Sequence, residues 1–174
     1  MGSAFSVRRA GPDDATALTV LGPSTFREAF GGDLPAAFVD DRMAVVYGYG
    51  RLREDLADPR QAWFLAEAEG AAVGFLTLKD GPPPPCVKGP SPLELSRLYV
   101  RSAWQGRGPA FALMEAGLEE AAHRRAGPLW LQAWKRNPRA LAFYHAHGFK
   151  ERGRIKVLFG GLELPHLILA RRMG

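Results

Sequence analysis

Gln105-Gly106-Arg107-Gly108-Pro109-Ala110 has the residue types to hold a charged ligand. It follows an apolar, strand-like run and precedes a helix-like one. Free backbone N–H groups at such a junction, together with the helix dipole, form an anion site. Gly106 and Gly108 let the backbone approach a pyrophosphate, and Arg107 adds positive charge. The spacing is not that of a P-loop, which places Lys-Ser or Lys-Thr after its last glycine. It is not a dinucleotide fingerprint either, because it lacks a third glycine and an opening βαβ unit. His145 and His147 invite a metal reading, but an i, i+2 spacing on a helix turns the rings apart, so packing or solvation is expected and no metal. Cys86 is the only cysteine. It lies in a proline run without an obvious activating base, so no disulfide, no cysteine metal cage and no catalytic thiol are expected.

The elements that must position this stretch are legible from periodicity and breakers. Phe5 to Arg9 alternates as a first strand. Pro12, Asp13 and Asp14 suit a helix start. Ala15 to Phe30 follows as helix with Leu18, Leu21, Phe26 and Phe30 as its buried stripe, and Gly22-Pro23 predicts a kink or two short helices. Leu34 to Tyr47 and Arg51 to Ala57 read as two more helices. The period then becomes two. Ala62 to Glu67 and Ala72 to Leu78 form a hairpin through Glu69-Gly70. Residues 81–92 are a stiff proline-rich loop inside the domain. Leu93 to Arg101 is a strand. Gly108 to Arg125 is an amphipathic helix with Phe111, Leu113, Met114 and Leu118 toward the sheet. Leu129 to Trp134 is a strand buried on both faces. Pro138 to Ala146 is a helix with Asn137 as N-cap and Gly148 as left-handed C-terminal stop. Phe149 to Phe159 and Leu162 to Arg171 close the chain as a hairpin through Gly160-Gly161. This order predicts a mixed α/β sheet with helices on both faces, in one domain covering 1–174.

A chain of 174 residues can build one real core, and 47% hydrophobic with 24% charged residues is an ordinary globular composition. No apolar run approaches the roughly 20 residues of a membrane helix, and the start lacks a secretory apolar region, so a cytoplasmic protein without membrane partners is expected. Met-Gly-Ser-Ala-Phe-Ser loosely fits a myristoylation pattern, a match common by chance. The net charge is +5, yet residues 11–60 hold nine acids against five arginines, a net of −4, so the remainder carries +9. No clustered Lys/Arg with interleaved aromatics appears, so nucleic acid is not an expected partner. A basic second half suits a phosphate-bearing cofactor.

Three motifs in order resemble the GNAT superfamily of N-acetyltransferases. Gln105, Gly108 and Ala110 match its Q/R-x-x-G-x-G/A signature. Glu94 to Val100 matches the preceding E-L-x-x-L-Y-V strand. Asn137, Ala140, Phe143, Tyr144, Gly148 and Phe149 complete N-x-x-A-x-x-F-Y-x-x-x-G-F. The resemblance covers roughly 93–150 strongly and the rest by element order. It implies a single-domain α/β fold with a mixed, mostly antiparallel sheet of about seven strands splayed at its centre. It implies acetyl-CoA as cosubstrate, its pantetheine arm lying between the strands at 93–101 and 129–134. Leu98 and Val100, with Tyr99 between them, would meet that arm through the backbone, and the Leu98 amide would also steady the oxyanion. The amides of Gln105, Gly106, Arg107, Gly108 and Ala110 would take the pyrophosphate. Asn137, Ala140 and Phe143 would hold the arm.

The implied reaction is acyl transfer to a primary amine of a small molecule or peptide. A lysine-like amine with a pKa near ~10.4 needs a base or water chain at neutral pH. Glu94 resembles the glutamate base of some relatives, and strand alternation would place Glu94, Ser96, Leu98 and Val100 on one face. Tyr144 resembles the family's general acid toward the departing thiolate. Pro109 departs from the pattern: it brings no N–H to the pyrophosphate, although it suits a first helical turn. Thr25, Phe26 and Phe30, with Leu131, Trp134 and Asn137, resemble bacterial polyamine acetyltransferases, and the acidic 11–60 segment would suit a cationic acceptor. Those acids are equally read as ordinary helix-surface charges, and Trp104, Trp130 and Trp134 as core or site lining. The alternative is a non-catalytic protein of this fold that binds acetyl-CoA or a partner as a regulator. The resemblance also admits a homodimer.

Overall fold

Residues 4–174 are described by the structure, a computed structural model. The first three residues of the myristoylation-like stretch lie outside that range. Strand β1 (Phe5–Arg9) leads through a short 3-10 turn, Pro12–Asp14, into α1 (Ala15–Phe30), α2 (Ala36–Val46) and α3 (Tyr49–Ala57). Then come β2 (Gln61–Ala68), β3 (Ala71–Asp80), β4 (Leu93–Val100), α4 (Pro109–His123), β5 (Pro128–Trp134), α5 (Pro138–Ala146), β6 (Lys150–Phe159) and β7 (Leu162–Arg172). The seven strands form one open sheet in the order β1-β2-β3-β4-β5-β7-β6. β1 and β2 are antiparallel, as are β5 with β7 and β6 with β7, whereas β4 and β5 are parallel. Among the described residues no helix is long and apolar enough to cross a membrane.

The chain forms two compact units. One holds residues up to Leu78 with Arg97–Leu118; the other holds Lys79–Ser96 with Glu119–Gly174. In the first unit, α1 runs as one helix through Gly22-Pro23, not as two short helices. Pro23 offers no N–H to the turn before it. The hydroxyls of Ser24 and Thr25 donate to the carbonyls of Val20 (2.8 Å) and Leu21 (2.8 Å), and Leu18, Leu21 and Thr25 are buried, so side-chain bonds and packing carry the helix on. Gly22 is there for space, not as a breaker, since a Cβ would overlap the Tyr47 ring. Alanine ordinarily stabilises a helix interior relative to glycine by up to ~1 kcal/mol. Here Gly22→Ala should instead destabilise by about 1–3 kcal/mol through overpacking, read as a lower urea midpoint.

On the other face of this unit, α4 packs through small residues. A Cβ on Gly74 would sit 3.3 Å from Leu113, and one on Gly117 would sit 3.0 Å from Leu76. Leu113 and Met114 are fully buried, but Phe111, expected on the same face, is 58% exposed. It lies in the first turn of α4.

In the second unit, Lys150↔Ala170 through Phe159↔Leu162 pair β6 with β7, with a bulge between Glu151 and Gly153. The bulge has a cause: a Cβ at Gly153 would lie 2.8 Å from the Cys86 sulfur. Cys86 packs with Ile155 against Val87, Trp130, Ile168 and Ala170, which agrees with a structural thiol. The turn residues Gly160 and Gly161 both have positive φ, 59° and 78°, as a tight two-residue hairpin requires.

Candidate functional site

In the first unit the loop after β4 is built as an anion cradle. Gly106 and Gly108 have φ of 74° and 107°, conformations open to glycine but strained for other residues. The loop is exposed, and Pro109 is the first residue of α4, in the turn where a missing N–H is harmless. The amides of Gly106, Gly108 and Ala110 donate to no acceptor among the described residues. Gln105 turns its side chain back, Nε2 donating to the Val100 carbonyl at 3.4 Å. The Arg107 guanidinium lies 4.1 Å over the Trp104 ring and donates to the Ala103 carbonyl at 3.3 Å. Its charge is thus held beside the free amides.

The same unit carries an aromatic shell that no single motif announces. Trp63 and Phe75 stack at 6.0 Å, Phe75 meets Tyr47 at 6.1 Å and Tyr99 at 5.8 Å, and Tyr99 meets Phe26 at 6.3 Å and Phe30 at 6.4 Å. Tyr99 is therefore committed to this shell by its ring. Arg97 places its guanidinium 5.2 Å from the Trp63 centroid and 5.5 Å from that of Tyr47. Burial pushes the Tyr47 phenol up, and Arg97 opposes that shift. Phe26, Phe30 and Tyr99 belong to patterns visible in the sequence; Trp63, Phe75 and Tyr47 do not. Arg97 is hidden between the matched positions of β4.

The acids of 11–60 are largely engaged. Arg8 holds Asp14 at 2.7 Å, Arg27 holds Asp40 at 2.9 Å, Arg51 holds Asp55 at 3.0 Å, and Arg60 holds Asp58 at 3.0 Å. Glu28 accepts from the Ser102 amide at 2.7 Å. The Arg8 pair holds the Asp14 carboxyl below its ordinary range. The surface-charge reading of this segment fits these pairings better than a waiting polycation site.

In the second unit, the parallel ladder of β4 and β5 consists of Leu93↔Leu129 and Glu94↔Trp130 and ends there. Glu94 is half-buried on that last rung. Burial in β4 falls on Leu93 and Leu95 and next on Val100, an odd step. Asn137 caps α5, its Oδ1 accepting the Ala140 amide at 3.2 Å, while its side-chain nitrogen donates to nothing among the described residues. Phe143 is half-buried against Tyr144 at 5.8 Å and His147 at 4.4 Å. Nδ1 of His145 lies 3.1 Å from the Phe149 carbonyl and that of His147 lies 2.9 Å from the Phe143 carbonyl, so both imidazoles serve the end of α5. Among the described residues no cluster could hold a metal.

The Tyr144 ring packs edge-on against Phe149 at 5.9 Å. Its hydroxyl makes no hydrogen bond among the described residues, and burial pushes its pKa up to about 12. Such a phenol stays protonated at any physiological pH. Trp130 and Trp134 are buried, as is Trp104 in the first unit, consistent with core roles. An open cavity of about 400 Å³, lined by Asp80, Ser91, Pro92, Leu93, Arg124 and Ala126, contains none of the motif residues.

The model of the acetyltransferase (GNAT) family matches residues 25–149. The chain is 34% identical over 138 residues to an uncharacterised N-acetyltransferase of Mycobacterium tuberculosis, covering 79% of this chain and 81% of that protein. It is 25% identical over 135 residues to an uncharacterised N-acetyltransferase of Lactobacillus delbrueckii subsp. lactis, covering 78% of each. In fold it is similar to the PaiA N-acetyltransferase of Thermoplasma acidophilum, solved in complex with coenzyme A. The TM-score is 0.79 at 16% identity, over 97% of this chain and 99% of that one. It is also similar to YncA of Salmonella typhimurium, solved with acetyl-CoA, with a TM-score of 0.70 at 18% identity over 99% and 95%.

Proposed function

From the premise that the chain belongs to the GNAT family of acetyltransferases, we propose that it is one N-acetyltransferase domain using acetyl-CoA to acetylate a primary amine of a small molecule or peptide. The observation that carries the chemistry is the Tyr144 hydroxyl, on a half-buried ring, protonated and bonded to nothing among the described residues. Bound acetyl-CoA supplies a thioester, whose carbonyl carbon takes the amine and whose sulfur leaves. Tyr144 gives its proton to that sulfur. Glu94, or a water chain, receives the proton that the amine must lose. The free amides of Gly106, Gly108 and Ala110 suit the pyrophosphate, with Gln105 shaping the loop and Arg107 adding charge. The backbone of Leu98, Tyr99 and Val100 meets the pantetheine arm where β4 has no ladder to β5, and the Leu98 amide faces the oxyanion. Asn137 offers its unused side-chain N–H to the arm, with Ala140 and Phe143 packed beside it.

The test is thiol release from acetyl-CoA over a panel of amines containing spermidine, aminoglycosides and protein N-terminal peptides. Spermidine is included for the Thr25-Phe26-Phe30 likeness, although the paired acids weaken its case. Turnover should require an amine. The Tyr144 phenol, at about 12, also fixes the alkaline side of the pH profile. Activity should rise toward the acceptor's own pKa, near ~10.4 for a lysine-like amine, as the neutral amine accumulates. No loss from Tyr144 ionisation should appear below about pH 11. A fall in kcat at pH 8–9 would mean a different acid.

A further inference from the structure

We infer that Arg97 is a specificity-determining residue that selects acceptor amines bearing a carboxylate, such as amino acids or peptides with a free carboxylate. The inference rests on the acetyltransferase reading above and narrows its acceptor.

Arg8, Arg27, Arg51 and Arg60 of the same unit each sit on a carboxylate of this chain. Arg97 does not. It is half-buried on β4, its partners are the rings of Trp63 and Tyr47 and the Tyr47 hydroxyl, and no carboxylate of the described residues pairs with it. A guanidinium with apolar walls on its faces keeps the edge of its fork for a planar, bidentate acceptor, which is the geometry of a carboxylate. The low-dielectric surround strengthens that bond and penalises a second cation.

The ring beneath Arg97 is also held in place. Trp63 Nε1 donates to Gln61 Oε1 at 3.1 Å, Gln61 Nε2 donates to Asp55 Oδ1 at 3.2 Å, and Arg51 fixes Asp55. Tyr47 is held by its fit over Gly22. These contacts run from α1 and α3 to β2 and orient the guanidinium without neutralising it. A polyamine would bring positive charge to a cation, so the same residue argues against that class.

The experiment first measures acetyl-CoA binding by calorimetry. It then compares acceptors in matched pairs: amino acids with their carboxamides, and dipeptides with theirs, with spermidine as the cationic control. Wild type should prefer the carboxylate member, and the amino-acid and dipeptide arms identify which kind of molecule carries it. Arg97→Gln should reduce that preference at least about 10-fold, through KM more than kcat, and Arg97→Lys should restore part of it. Three results would overturn the inference: equal use of both members by wild type, an equal loss on both members in Arg97→Gln, or spermidine as the best acceptor. Absence of both acetyl-CoA binding and amine-dependent thiol release would instead remove the acetyltransferase reading, and this inference with it.

Discussion

Tyr144→Phe is expected to lower kcat by about 10²- to 10⁴-fold while leaving the affinity for acetyl-CoA nearly unchanged. The substitution deletes one oxygen. That oxygen bonds to nothing among the described residues, and the ring contacts to Phe143 and Phe149 remain. An unbonded hydroxyl on a half-buried ring contributes little to stability, so the variant should unfold at the same temperature as wild type or slightly higher. This pairing of readouts separates chemistry from packing. If Tyr144 were only a core aromatic, neither kcat nor stability would move. If it were needed to build the fold, both would fall together.

The second large effect is expected at Gly108. Its φ of 107° lies outside the small left-handed basin that other residues visit, and a Cβ there would also come within 3.2 Å of the Phe5 ring. Gly108→Ala should cost about 1–3 kcal/mol of backbone strain. The loop would relieve it by turning, which moves the free amides of Gly106, Gly108 and Ala110 out of convergence. Charge-assisted bonds of this type are worth about 1.5–3 kcal/mol each, so the Kd for acetyl-CoA should rise about 10- to 100-fold. Calorimetric titration with acetyl-CoA checks it. A drop in stability with unchanged affinity would show that these amides do not face the pyrophosphate.

Local chemistry is what the sequence makes legible. The hairpin glycines, the cap at Asn137, the helix start at Pro109 and the strand buried on both faces at β5 follow from backbone rules and short periods, and all stand in the structure. The loop of Gly106 and Gly108 is legible for the same reason. What escapes is set by contacts between distant segments. Gly22-Pro23 reads as a break only while Tyr47, the ring that needs the space at Gly22, is out of view. Phe111 has the right helical period for burial, yet it stays exposed beside the fully buried Leu113 and Met114. The acidic excess of 11–60 looks like an electrostatic field until Asp14, Asp40, Asp55 and Asp58 are each seen with an arginine. Arg97 reads as one more surface cation on a strand, and its meaning depends on rings contributed by α1, β2 and Tyr47. Alternation through β4 predicts one face for Glu94 and Val100, and burial along the strand, falling on Leu93, Leu95 and Val100, does not by itself report that facing.

The most direct measurement is amine-dependent release of coenzyme A thiol from acetyl-CoA by wild type and Tyr144→Phe side by side, with the acetylated amine identified by mass spectrometry. An acetyltransferase whose acid is Tyr144 predicts stoichiometric thiol and acetylamine from wild type, and a loss of at least about 100-fold in the variant with acetyl-CoA still bound. Binding of acetyl-CoA with no thiol release by any amine, and no difference between the two proteins, would contradict it and mark the chain as a non-catalytic binder.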